Sequence, residues 1–252
     1  MIRYFFLSFI MFSSALLAQK QLHIKYLNVR SPIANVYEDL YTNGTNVVSK
    51  QDGNVLYTNP EYDKKKKGKD YYFISTINSS IQDSKDFFFT ESIGYSAENE
   101  YFVHDAVPKI DWIIDENSTK SILGYECTKA TAKFRGSNIT AYFAKKIPYS
   151  VGPFKFYGLP GAILDVRADG LNYDLWKAIK VELDNTDVID YNPQFPKLEK
   201  VQMKRLIELK EKDRKSFSGS TSVPGSTGKS VAKRFGIEKI FEWETQSSDP
   251  VK

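Results

Sequence analysis

The sequence runs to 252 residues with 35 Lys and Arg against 31 Asp and Glu, 41% hydrophobic residues and a single cysteine, Cys127. That length holds one sizeable core or two small ones, the apolar share excludes intrinsic disorder, and a net charge of only +4 argues against a nucleic-acid partner. One cysteine excludes an intramolecular disulfide, so stability rests on packing.

The chain opens with MIRYFFLSFIMFSSALLA: a positive charge at Arg3, an apolar run from Tyr4 to Leu17, and Ala18 before the polar QKQ. This reads as a secretory signal peptide, 1–18, cleaved after Ala18, with Leu16 where alanine is commoner. The run is too short for a bilayer span, which takes about 20 apolar residues, and no later stretch approaches that length. No cysteine stands at the junction to carry a lipid. The expectation is a mature chain, 19–252, that is periplasmic or secreted and has no transmembrane segment.

Most of the chain beyond Ala18 is written in strand residues, broken by turn signals at Asn43-Gly44, Asp52-Gly53, Arg135-Gly136-Ser137-Asn138 and Asp169-Gly170. Antiparallel hairpins are predicted. Ser121 to Phe134 and Ile139 to Lys145 form one long hairpin in this reading. Its apolar parity switches between Leu123/Tyr125/Cys127 and Ala130/Ala132/Phe134, for which a bulge near Thr128 accounts. Ile163 to Ala168 is predicted to pair with Tyr173 to Leu183. There Tyr173, Leu175, Ile179, Val181 and Leu183 share one face, with Asp174, Trp176, Lys180 and Glu182 on the other. Glu199 to Arg214, EKVQMKRLIELKEKDR, reads as the one amphipathic helix, with Val201, Arg205, Leu206 and Leu209 near one face. A flexible Ser/Gly-rich segment is expected around 216–230, and Phe235 to Glu244 as a last strand. The fold class is mainly β (α+β): a curved antiparallel sheet or open half-barrel with one amphipathic helix near the C-terminus, in a single domain.

Local motifs carry little chemistry. Lys64 to Lys69 is flanked by Glu61, Asp63 and Asp70 and reads as a solvated loop. PGSTGKS lacks the first glycine of a phosphate-binding loop, Val223 standing in its place. His23 and His104, the only histidines, have no second ligand at metal spacing. A Cys127–His104 nucleophilic arrangement is open by spacing, but Cys127 sits mid-strand, where a buried inert thiol is the commoner state. Glu242 and Glu244 read as a solvated pair on one strand face. Sequons at Asn43, Asn78, Asn117 and Asn138 matter only in a host that glycosylates them.

The unusual writing is YSVGPFKFYGLPGAILDVRAD, Tyr149 to Asp169. Pro153 and Pro160 remove backbone donors, Gly158 and Gly161 permit positive φ or close backbone approach, and Phe154, Phe156 and Tyr157 anchor the turn. Two readings stay open: a buried crossover re-entering the sheet at Ile163, or a lip that faces a ligand.

The block GYECTKATAKFRGSNITAYFAKKIPYSVGPFKFYGLPGAILDV resembles the GLPGLI family of secreted Bacteroidetes proteins. The naming hexapeptide is here Gly158-Leu159-Pro160-Gly161-Ala162-Ile163, with Ala162 where leucine is typical. The resemblance is strongest from Pro108 to Ala168 and includes "PKIDW" and "GP.KF.GLPG" in order. It implies an envelope or secreted protein associated with outer-membrane transport, and it carries no activity. The resulting expectation is a non-catalytic accessory or binding protein without cofactor or metal, whose partner is an apolar small molecule, lipid or peptide. The alternatives are an envelope hydrolase and a scaffold that meets an outer-membrane transporter through a face containing Trp176. The candidate ligand-binding residues are Phe154, Phe156, Tyr157, Leu159, Pro160 and Trp176. Gly152, Pro153, Gly158, Pro160 and Gly161 are the candidate structural motif.

Overall fold

The computed structural model describes residues 20–57, 69–77, 83–94, 99–218, 234 and 236–245. The expected signal peptide, the lysine run from 64 to 68, PGSTGKS and most of the Ser/Gly-rich segment lie outside the described residues. Among the described residues, twelve strands form one open, curved sheet. On one flank β1 (Gln21–Ser31), β2 (Ala34–Thr42), β3 (Asn46–Tyr57), β4 (Tyr71–Thr76), β5 (Ser84–Ser92) and β6 (Glu100–Pro108) succeed one another as antiparallel neighbours. On the other, β7 (Ile113–Ile122), β8 (Tyr125–Phe134), β9 (Ser137–Ala144), β10 (Ala162–Ala168) and β11 (Leu175–Asn185) do the same. Antiparallel pairing of β1 with β11 joins the flanks. β12 (Glu199–Gln202) lies parallel to β6 at one edge and runs directly into α1 (Met203–Ser218). A one-turn helix, α2 (Glu242–Thr245), stands near the end.

The tight hairpins arise from backbone chemistry. Leu123-Gly124 between β7 and β8 and Arg135-Gly136 between β8 and β9 both have positive φ at both residues. Two-residue loops of that hand match the twist of the strands they join. The stretch from Ser121 to Phe134 is therefore two strands rather than one, since leucine gives no turn signal of its own. The irregularity expected near Thr128 belongs to the partner strand: β7 shifts register between Asp115 and Thr119, opposite Lys129 and Thr128. Asp52-Gly53 is likewise no turn. It lies inside β3, where the β2 register jumps between Val36 and Glu38, so the Asp-Gly pair forms a bulge.

Three further expectations change. In β11 the buried apolar residues are Trp176 and Ala178, while Ile179 and Leu183 are exposed. A register shift opposite Lys25/Tyr26 leaves Ile179 as an extra residue and inverts the parity that simple alternation assigns. Glu199–Gln202 is a strand, because β6 offers it an open edge, and the helix begins at Met203. The described part of the expected last strand, 236–244, contains no strand and runs into α2.

One main hydrophobic cluster fills the concave side, with Leu22, Ile24, Tyr26, Phe143 and Val166 among its fully buried members. A smaller one packs Leu206 and Met203 of α1 against Phe89, Ile93 and Val103. The helix thus lies over the β5–β6 flank, held by an apolar stripe and by Lys210 reaching Glu91 at 3.2 Å.

Candidate functional site

The loop between β9 and β10 enters the concave side and plugs it. A Cβ on Gly161 would lie 2.3 Å from the Ala144 carbonyl oxygen, so glycine is needed there for close backbone approach. Gly158 is needed for its φ of +95°. Phe156, Tyr157 and Leu159 are each 1% exposed. The Tyr157 hydroxyl donates to the Val107 carbonyl at 2.9 Å, and the Trp112 indole N–H donates to the Tyr157 carbonyl at 2.8 Å. The Phe156 ring meets Phe134 at 5.3 Å and Trp176 at 5.9 Å. Contacts to β6, β8 and β11 from adjacent loop residues show that the two flanks curl around this plug.

Phe154 leaves the plug in a different direction. It is half-buried at a φ of 55° and stacks on Trp176 at 5.5 Å. Its N–H donates to Glu38 Oε1 at 2.9 Å, and Glu38 also accepts from Ser49 Oγ at 2.6 Å, Trp176 Nε1 at 2.9 Å and Gln51 Nε2 at 3.2 Å. Burial raises the Glu38 pKa above the ordinary carboxylate value, and the four donors offset only part of that. This carboxylate holds the Gln51 and Trp176 side chains and the Phe154 backbone of one wall in place. Sequence reading passed over it, although the alternation Val36, Glu38, Leu40 already set an acid on an apolar face.

In front of that wall is a cavity of about 390 Å³, roofed by α1 and the segment 236–241. Its apolar lining includes Phe73, Phe154, Trp176, Met203, Ile207 and Phe241, and its polar lining includes Asn28, Gln51, Asp174 and Arg234. Pockets that bury small molecules run from about 300 to 1,000 Å³ with this kind of mixed lining. Asp174 is held at a φ of 54° by its N–H donating to the Val29 carbonyl at 2.8 Å and its carbonyl accepting from Ala168 at 3.1 Å. Among the described residues its Oδ2 is buried without a hydrogen-bond partner, and so is Nε of Arg234. Burial raises the Asp174 pKa against the pull of Lys239 and Arg30.

An ionic clamp secures the roof. Asp105 on β6 takes Arg135 bidentately at 2.7 and 2.8 Å and Lys155 at 2.7 Å. Glu238 bonds Lys155 at 3.0 Å and also Arg135, and Glu242 meets Arg135 at 3.0 Å. Burial alone would raise the Asp105 pKa; Lys155 and Arg135 overcome it and hold the group below its usual range.

Among the sequence candidates, Phe154 and Trp176 line the cavity. Phe156, Tyr157 and Leu159 instead belong to the buried core, because the plug must fill the concave side, and Pro160 is exposed. Gly152 is buried against Phe156 and Ile163, and Pro153 is buried beside it. Cys127 is fully buried, its thiol pKa pushed up to about 11 by burial. His104 sits on β6, stacked on Phe88 at 4.8 Å with Nε2 at 2.7 Å from Asp86. Neither lines the cavity. His23 is held between Glu182 and Asp39, both at 2.8 Å; burial lowers its pKa, and these two carboxylates raise it by more. Glu242 and Glu244 pair with Arg135 and Arg234 rather than facing solvent along a strand. Among the described residues no group of three or more His, Cys, Asp or Glu side chains is arranged to hold a metal ion.

Residues 134–165 match the model of a family described as a protein of unknown function (Porph_ging), of the GLPGLI type. No curated protein matches the chain. Two crystal forms of PNGF-II are similar in structure, with 14% sequence identity and a TM-score of 0.48 in each case. The similarity covers 77% of this chain and 34% and 33% of the two PNGF-II chains, so the chain spans about a third of that protein's length.

Proposed function

We propose that this chain is a non-catalytic binding protein of the cell envelope that holds an amphipathic small molecule in the cavity beneath α1. The observation that carries this reading is the aromatic-walled cavity of about 390 Å³, whose lining also carries the polar residues Asn28, Gln51, Asp174 and Arg234. The Trp176 indole, fixed by the buried Glu38, offers a flat surface for the apolar part, and the Phe154 ring stacks on it from a backbone tied to the same carboxylate. Export rests on the leader-like first eighteen residues. Membership of the GLPGLI family rests on the match over 134–165 together with the ordered elements from Pro108 to Ala168.

Native mass spectrometry of the protein, purified from its envelope fraction without denaturation, tests the reading. A discrete adduct removable by organic extraction is expected. Ile207→Trp, which fills the cavity from the helix side, should abolish the adduct at an unchanged denaturation midpoint. An adduct that persists in that variant places the ligand elsewhere, and its absence from the native protein and from re-exposed extracts sinks the proposal.

A further inference from the structure

Three lysine and arginine side chains are buried in the described structure: Arg135, Lys155 and Lys85. The first two each meet at least two carboxylates. Lys85 does not. It is 4% exposed, its ammonium is not among the fully buried polar atoms that lack a partner, and among the described residues its close contacts are with aromatic rings. Its neighbours are the rings of Phe87 and Tyr157, 5.0 and 5.2 Å away at their centroids. Burial with no opposing charge brings its pKa down to about 8. An ammonium with three donors and no protein acceptor is met either by water or by a ligand.

Lys85 lines a void of about 10 Å³ together with Ser49, Ser75 and otherwise apolar groups. That is room for about one water molecule. The void and the large cavity share a wall: Phe73 and Phe154, whose rings meet edge-on at 5.7 Å, line both. Phe154 is the side chain of that wall held in the left-handed region, and a cavity of about 390 Å³ lies open beside it to receive its ring. Turning Phe154 aside would join the two spaces into one channel. The channel would run from the polar rim at Asp174 and Arg234, past Trp176, to the Lys85 amine.

We infer that the cavity continues behind Phe154 and takes an apolar chain ending in a carboxylate, with Lys85 as the cation that receives it. This rests on the reading of the cavity as a ligand site. A single ammonium beside Ser75 suits a singly charged, planar head group; a phosphate would call for several donors, and Ser49 is already committed to Glu38. The Glu38 carboxylate is occupied by its four donors and leaves the amine to the ligand. Because the free amine is partly neutral at mildly alkaline pH, carboxylate binding there draws in a proton.

The test uses full-length protein stripped of lipid, titrated with myristate and with methyl myristate while Trp176 fluorescence is followed. Myristate is expected to bind at least tenfold tighter than its ester. Calorimetry near pH 8 in buffers of different ionisation enthalpy should show proton uptake with the acid alone. Lys85→Met, whose denaturation midpoint should equal or exceed wild type because a buried charge is gone, should bind both probes with the ester's affinity. Phe154→Ala should speed association. Equal binding of acid and ester by wild type, or an acid preference that survives Lys85→Met, overturns the assignment of Lys85 and leaves the cavity as a ligand site. If neither probe binds while the native protein carries another adduct, the ligand class is wrong; if the native protein carries none, the binding reading fails with it.

Discussion

A single methyl group distinguishes the two kinds of glycine in the plug. At Gly158 an added Cβ would meet Trp112 at 3.7 Å, an ordinary van der Waals contact, so Gly158→Ala should cost only the left-handed backbone, about 1–2 kcal/mol. At Gly161 the same methyl meets the backbone of Ala144 at 2.3 Å, which cannot yield as a side chain would. Gly161→Ala should therefore reach the upper range of overpacking, about 3 kcal/mol. Denaturant midpoints of the two variants check the order, and equal losses would refute it. The rings separate in the same way. Phe156→Ala empties a buried site and should cost about 3–5 kcal/mol. Phe154→Ala should cost clearly less, since its ring is half-exposed on the cavity side. Both anchors look alike in the sequence, because what divides them is a positive φ at Phe154 that turns one ring forward while its neighbour turns in.

At the scale of elements, the segment 236–242 adds no strand to the sheet. It is tied to the β8–β9 turn, where the Arg135 carbonyl accepts from the N–H groups of Lys239 and Ile240 at 2.8 and 3.0 Å and its guanidinium lies over Phe241 at 4.7 Å. Asp105 is the hub that neutralises Arg135 and Lys155 from the other side. Asp105→Asn leaves two buried cations short of charge and should destabilise the protein by about 3–5 kcal/mol. Hydrogen exchange should show the amides of Lys239 and Ile240 losing protection before those of β1 and β11. Uniform loss across the sheet would mean that the clamp and the sheet open as one unit. The strand propensity of Phe235 to Glu244 misled the sequence reading because a tertiary ion cluster decided that segment.

For the whole molecule, pH resolves two opposite contributions. His23 faces Asp39 and Glu182, with Lys25 and Lys180 alongside and Tyr41 stacked on its ring at 4.3 Å. Its pKa is raised from 6.5, so its contribution is fully present below that value and is lost as pH climbs through the higher folded-state value. Asp39 and Asp105 are lowered from 3.8, so theirs are present above that value and fade as pH falls through the depressed one. The difference in denaturation midpoint between wild type and His23→Gln should be widest near pH 5.5 and shrink toward pH 9, both chosen about the ordinary histidine value of roughly 6.5. A gap that does not change over that interval would contradict a charged His23.

Strand content, antiparallel hairpins and the turn at Arg135-Gly136 could be read from the chain, because alternation and turn chemistry are properties of a few neighbouring residues. The rigid loop ahead of Ile163 was legible for the same reason: glycine and proline restrict or free their own backbone wherever they stand. Which way a ring points, where a bulge inverts a strand and which charges meet are settled at long range. Glu38 is a site residue only because Phe154 and Trp176 come to it from 116 and 138 residues away. Arg135 and Glu242 pair across 107 residues, and Glu199–Gln202 is extended only because β6 leaves an edge free. The cavity belongs to this second group. Its walls come from β1, β3, β4, β5, β11, the plug and α1, and the space exists because the sheet curls farther than the plug can fill.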